Sequence, residues 1–305
     1  MDLYTLYHRS LEAWADHVNA VRSDQWDDPT PCTQWSVRDL VNHVVGEDLW
    51  TVPLVGGSTI AEVGDRLQGD VLGDHPIAAA LGAAADARQA VEVALPAHGT
   101  VQLSYGEERI DEYVWQLTAD HVIHGWDLAA ATGRSTLIDT GSVAAVADWF
   151  DQREEVFRSG GLVGDRRRLT GDAQVDLLAM FGRDARWGPN HAALARFNAA
   201  FGSGDVDAVI ALMSKDCVFE STGPAPDGLR HEGAEAVRAV WVGLFRGTRD
   251  LAFTEEESFL DGDRAVVRWR FEWTNEDGSP GHVRGVDVMR LRDGLVSEKL
   301  SYVKG

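Results

Sequence analysis

The chain has 305 residues with 44% hydrophobic and 25% charged side chains, enough for two ordinary soluble domains with cores of their own. Acidic residues outnumber basic ones 49 to 28, and the net charge of −21 argues against nucleic-acid and anionic-membrane partners. No stretch approaches the ~20 apolar residues of a membrane span, and the start MDLYTLYHRSLEAW has no apolar signal segment, so a cytoplasmic protein is expected.

The first half reads as helices. Leu3, Leu6, Tyr7, Leu11, Trp14 and Val18 recur at helical spacing over residues 2–22. Pro29 and Pro31 break the chain, and Ser36 with Asp39 three residues on resembles an N-cap signal. Val37, Leu40, Val41, Val44 and Val45 form the stripe of the next helix, within 35–50. Five glycines between 56 and 73 mark a long loop holding one short turn. An alanine-rich helix is expected over 76–94, another over 108–132 ending at Gly133, and two more near 141–157 and 171–182. Four long striped helices predict an up-and-down bundle with appended helices.

The pattern changes near WGPNH (187–191), which sets the expected domains at 1–187 and 188–305. Helices at about 190–202 and 205–213 lead into DCVFES, a strand, and a helix over 233–246 precedes strands near 250–260, 264–274, 282–292 and 295–303. In RAVVRWRFEW, Val267, Trp269, Phe271 and Trp273 alternate with charged residues, a half-buried strand pattern. Asp261-Gly262, Asp277-Gly278 and Asp293-Gly294 are the expected hairpin turns. The second domain is therefore α+β, with helices on one face of a curved antiparallel sheet. The two cysteines, Cys32 and Cys217, fall in different domains, so no disulfide is expected. Cys32 reads as a small packing residue beside Trp35.

ADHVIHGWDLAAATG (119–133) carries the clearest chemistry. Asp120 and His124 are four apart, on one helix face beside the stripe of Leu117, His121 and Leu128. His43 flanks the stripe of its own helix, so His43, Asp120 and His124 can converge on one divalent ion and leave open positions on it. Glu47, one turn beyond His43, is a candidate supporting partner or base, and His121 competes with Asp120 as ligand. The plainer alternative is a hydrogen-bonded Asp–His pair and satisfied core histidines.

PTPCTQWSVRDLVNHVVG and TADHVIHGWDLAAATG resemble the two signature segments of the mycothiol-dependent maleylpyruvate isomerase N-terminal family, of the DinB-like metal-binding four-helix bundles. LLAMFGRDARW (177–187) resembles the closing segment of an uncharacterised actinobacterial branch of it, so the likeness covers about 5–187. It implies a metal held by a second-helix histidine, matching His43, and by Glu-x-x-x-His on a later helix, here Asp120 and His124. The shorter aspartate keeps the charge and an oxygen donor but draws an ion toward its helix. The resemblance further implies mycothiol as a cosubstrate activated by the metal, zinc by expectation, for transfer to an electrophile or for cis–trans isomerisation.

HAALARFNAAFGSGDVDAVIALMSKDCVFES, HEGAEAVRAVW and RGVDVMRLRDGLVSEKLSYV resemble the SnoaL-like branch of the nuclear transport factor 2-like fold, a cone whose curved sheet encloses an apolar pocket. Of the catalytic trio of ketosteroid isomerases within that fold, the resemblance matches Asp287 to the aspartate donor. The tyrosine position matches Phe197, and the base position matches Ser221, beside Glu220. Two of three roles are lost, so that proton shuttle is not expected. Asp287 shares a strand face with Val283, Met289 and Leu291. If that face is inward, a buried carboxyl with a raised pKa anchors a ligand. If the faces are reversed, Asp287 pairs with a neighbouring arginine. His231 and Arg284 are further pocket candidates.

Taken together, the expected protein is a metal-dependent thiol transferase or isomerase acting on a small molecule. Its second domain serves as an apolar ligand pocket or as a homodimer contact. A non-catalytic small-molecule binder and a cyclase, isomerase or hydratase working in the second domain remain the alternatives.

Overall fold

A computed structural model describes residues 1–32 and 35–304. Two compact units result, Met1–Ala185 and a second beginning at Arg186.

In the first unit, α1 (Leu3–Asn19) is capped by Asp2, whose carboxylate accepts the Thr5 N–H at 2.8 Å. Its buried face is Leu6, Tyr7, Leu11, Trp14 and Val18. Next comes α2 (Val37–Val55), which opens on a capping box: Ser36 Oγ accepts from Asp39 N, and Asp39 accepts from Ser36 N. A single turn, α3 (Ile60–Val63), interrupts the glycine-rich loop. Ala80, Ala83, Ala84 and Ala87 line the buried face of α4 (Pro76–Ala94), and their small side chains allow close approach to α1 and α2. A hairpin follows, β1 (Thr100–Leu103) with β2 (Gly106–Arg109). It feeds α5 (Ile110–Thr132), which packs on α1 and α2 and is buried over most of its circumference. Gly133, at φ +70°, ends it in the left-handed cap that glycine adopts without a Cβ clash. The four long helices α1, α2, α4 and α5 form the bundle.

Two local expectations are corrected here. The hairpin occupies residues in which only the start of a helix at 108 was expected, because its four-residue strands are too short to show a period. The helix expected over 141–157 is two, α6 (Thr140–Asp151) and α7 (Glu154–Ser159). The break lets Phe157 fold back edge-to-face on Phe150 and Trp149, while Arg153 pairs with Glu112 at 3.0 Å. The last helix of the unit is α8 (Ala173–Met180).

In the second unit, α9 (Pro189–Ser203) and α10 (Val206–Ala211) precede β3 (Met213–Glu220), β4 (Arg230–Glu232) and α11 (Ala234–Gly247). The long strands are β5 (Arg249–Asp261), β6 (Arg264–Thr274), β7 (Pro280–Arg292) and β8 (Leu295–Val303). Sheet order is β4-β3-β8-β7-β6-β5. All pairs are antiparallel except β3 with β8, which is parallel and joins the start of the domain to its end. Register shifts in β3, β5 and β8 bend the sheet. Asp293 and Gly294, at φ 54° and 73°, make the two-residue turn between β7 and β8 that Asp-Gly favours. Phe197, Phe201, Trp241, Trp269 and Met289 centre the core between helices and sheet. Among the described residues no helix is long and apolar enough to cross a membrane.

Candidate metal centre

Helices α2 and α5 set the first site. His43 and Glu47 stand one turn apart on α2; Asp120, His124 and Asp127 occupy successive turns of α5. His43 Nε2 lies 3.8 Å from Asp120 Oδ2. The His43 and His124 rings meet edge to face with centroids 5.1 Å apart. One donor atom from each of His43, Asp120 and His124 falls within 4.8 Å of the others. Two imidazole nitrogens and a carboxylate oxygen are a donor set that fits a divalent transition metal with open positions. Burial lowers the His43 pKa although Asp120 pulls the other way, which favours the neutral imidazole that ligates metals.

His124 is aimed by a buried polar cluster. Its Nδ1 lies 3.0 Å from Asp127 Oδ2, so Nε2 is the nitrogen left for a ligand role. Burial works to raise the Asp127 pKa, but the Arg183 guanidinium and the His124 hydrogen bond outweigh it and hold the carboxyl at about 2. Arg183 Nη2 reaches Asp127 Oδ2 at 2.7 Å and Cys32 Sγ at 2.7 Å, and the Cys32 thiol donates to Asp127 at 3.3 Å. Burial, with Asp127 beside it, pushes the Cys32 pKa up and keeps it a thiol. Cys32, His124 and Asp127 also form a close donor group, but the guanidinium on both Cys32 and Asp127 occupies that side. Arg183 is delivered by the turn after α8. There Gly182 has φ +77°, and a Cβ would meet the Gly164 backbone at 3.1 Å, so a side chain is doubly disfavoured.

His43, Asp120, His124, Cys32 and Arg183 line one cleft of about 560 Å³, with Asp127 buried behind it and walls that include Trp35, Tyr113, Trp149, Phe157 and Phe181. Glu47 faces the same cleft, and burial next to Asp120 and Asp48 lifts its carboxyl to about 7. His121 does not join them. Its Nε2 pairs with Asp48 Oδ1 at 3.0 Å, and its ring packs on Tyr7 with centroids 5.6 Å apart, inside the bundle. One residue past Asp120 is a rotation of about 100°, which turns His121 away from the cleft. Cys32 also departs from expectation, since its sulfur joins a charged cluster. Asp127 and Arg183 were missed. The H-x-x-D spacing after His124 was the available signal for the former; nothing local signals that Arg183 comes back to it.

The second unit encloses a cavity of about 570 Å³ lined by Phe201, Phe219, Trp241, Trp269, Phe271 and Trp273 among others. Trp269 and Trp273 lie across Gly285 and Gly281 of the neighbouring strand, where a Cβ would come within 2.3 and 2.4 Å of the rings. Asp287 is on the buried face of β7, but Lys299, not an arginine, takes Oδ2 at 2.7 Å, and Ser301 Oγ donates to Oδ1 at 2.6 Å. Lys299 and Ser301 line the cavity; Asp287 stands behind them. Ser221 lines the cavity too, with its hydroxyl donating to the Gly223 carbonyl at 2.8 Å. The other candidates lie elsewhere: Phe197 packs in the core near Trp241, His231 stacks on Phe219, Glu220 pairs with Arg230 and Arg284 pairs with Glu256.

Fold and site define a helical bundle of the DinB-like kind with a candidate metal centre, followed by a SnoaL-like cone of the nuclear transport factor 2-like fold. Residues 7–129 match the mycothiol maleylpyruvate isomerase N-terminal domain, and residues 194–299 match the SnoaL-like domain. An uncharacterized protein of Mycobacterium tuberculosis, found in strains H37Rv and CDC 1551, is 34% identical over 139 residues, 46% of this chain and 72% of the relative. The chain thus belongs, through its first domain, to the mycothiol maleylpyruvate isomerase N-terminal domain family, with a SnoaL-like domain as its second. Among solved structures, it is similar to an NTF2-like protein of unknown function from Mesorhizobium loti, with 40% identity and a TM-score of 0.34 over 38% of this chain and 92% of that one. Another NTF2-like protein of unknown function, from Burkholderia pseudomallei, gives 18% identity and a TM-score of 0.34 over the same shares.

Proposed function

We propose that the first domain is a metal-dependent enzyme that uses a low-molecular-weight thiol, mycothiol or a close analogue, for S-transfer to or isomerisation of a small electrophile, and that the second is an apolar ligand-binding module. The observation that carries this reading is the convergence of His43, Asp120 and His124 in a cleft of about 560 Å³. These three residues would hold the ion. A divalent metal such as zinc supplies a Lewis acid that lowers the pKa of a thiol or water bound to it.

The protein groups divide the remaining work. Asp127 holds His124 Nδ1 and so fixes which nitrogen faces the cleft. Arg183 balances the Asp127 charge, and the aromatic walls give a small electrophile an apolar surface to pack on. Glu47, one turn from His43 and facing the same cleft, is the carboxylate placed to accept the proton that the thiol sulfur gives up.

Metal analysis of the purified full chain tests the proposal. About one divalent ion per chain is expected, with added thiol changing the spectrum of a cobalt-substituted sample. His43→Ala/His124→Ala should lose the ion and keep its helical circular dichroism, because the bundle core is apolar. Stoichiometric metal retained in that double variant would overturn the assignment.

A further inference from the structure

The second-domain cavity has one buried polar pole. Lys299 and Asp287 have side chains only 6% and 3% exposed, and both come from the buried face of the sheet. Asp287 lies directly across from Ser301, and Lys299 lies across from Met289, so the strand register sets the three polar groups side by side. The Lys299 ammonium has three hydrogens to donate. Asp287 takes one at 2.7 Å and Ser301 another at 2.9 Å. Among the described residues the third meets only the ring faces of Phe201 and Phe219, each 5.3 Å from Nζ to centroid, and both rings line the cavity.

We infer that this cavity binds a flat, uncharged, mostly apolar molecule by a carbonyl oxygen held on Lys299 Nζ. The aromatic walls select a flat apolar body. A donor in a desolvated pocket selects an acceptor, and a charged donor strengthens that bond. The choice of an uncharged acceptor follows from Asp287. The pair already sums to zero charge, so a carboxylate ligand would bring a second buried anion beside Asp287, and the lining's other cation, Arg249, is exposed and already paired with Asp250. A ketone or quinone oxygen accepts the hydrogen bond without that cost.

The inference rests on reading the second domain as a ligand-binding module and is independent of the metal centre. Three isosteric probes separate the terms: 2-acetylnaphthalene, 2-ethylnaphthalene and 2-naphthoate, titrated calorimetrically into the full chain with chelator present. The ketone should bind about ten- to a hundredfold tighter than the hydrocarbon, and the naphthoate should bind more weakly than the ketone. In Lys299→Met/Asp287→Asn, which removes both charges at near-constant volume, the ketone should lose its advantage while the hydrocarbon keeps its affinity. Native protein that prefers naphthoate, or a variant that still prefers the ketone, would overturn the inference alone. No saturable binding of any probe would overturn the ligand-module reading with it. Should the variant fail to fold, the native ranking decides.

Discussion

Replacing Lys299 by methionine tests how the second domain tolerates a charge in its core. Methionine matches the length of the lysine stem, so packing changes little. What changes is Asp287, whose side chain is 3% exposed and would keep only the Ser301 hydrogen bond. Breaking a buried pair by removing one partner costs about 3–5 kcal/mol, because the other charge stays buried and uncompensated. A domain of this size has roughly 5–15 kcal/mol of stability in total. At roughly 3–5 °C of midpoint per kcal/mol, the second domain should melt about 10–25 °C earlier. Lys299→Met/Asp287→Leu removes both charges and should return to within about 2 kcal/mol of the native protein, since well-packed apolar replacements of buried pairs are often neutral. Differential scanning calorimetry of the full chain reads the loss, and the first-domain transition serves as an internal control. A single variant that costs less than about 1 kcal/mol, or a double variant as unstable as the two single losses added, would refute the reasoning.

Three further outcomes are expected. Glu47 has a native pKa of about 7 against an ordinary 4.5, so the folded chain keeps a proton that the unfolded chain sheds, and stability falls as pH rises through that window. Glu47→Gln should therefore match the native metal-free protein near pH 4 and exceed it by up to about 3 kcal/mol at pH 8 in urea unfolding; equal curves at both pH values would refute this. Asp127→Asn frees the His124 ring and leaves Arg183 without its carboxylate, so metal affinity should drop about 10–100-fold in competition with a chelator; unchanged affinity would remove Asp127 from the site. Expressed separately, Met1–Ala185 and the remainder should each melt cooperatively, and failure of both would mean that the two units need one another to fold.

Much of the fold was legible in local patterns. The apolar stripes of α1 and α2, the Ser36–Asp39 capping box and the Asp293-Gly294 turn are written in neighbouring residues, because helix and strand periods act over a few positions. Of the other two expected turns, the first is Gly262-Asp263, with Asp261 still paired in its strand, and Asp277-Gly278 sits inside a five-residue loop. The i, i+4 spacing put Asp120 and His124 on one face for the same reason. Packing between distant segments decided the rest. Only the tertiary fold brings Arg183 onto Cys32 and Asp127, turns His121 to Asp48, and aligns β3 in parallel with β8. It also made Lys299, rather than any arginine, the partner of Asp287. A period says which face a side chain takes, and it carries no information about which residue arrives opposite. That is settled by the closing of the core, where a buried charge is stable only beside the partner the fold delivers to it.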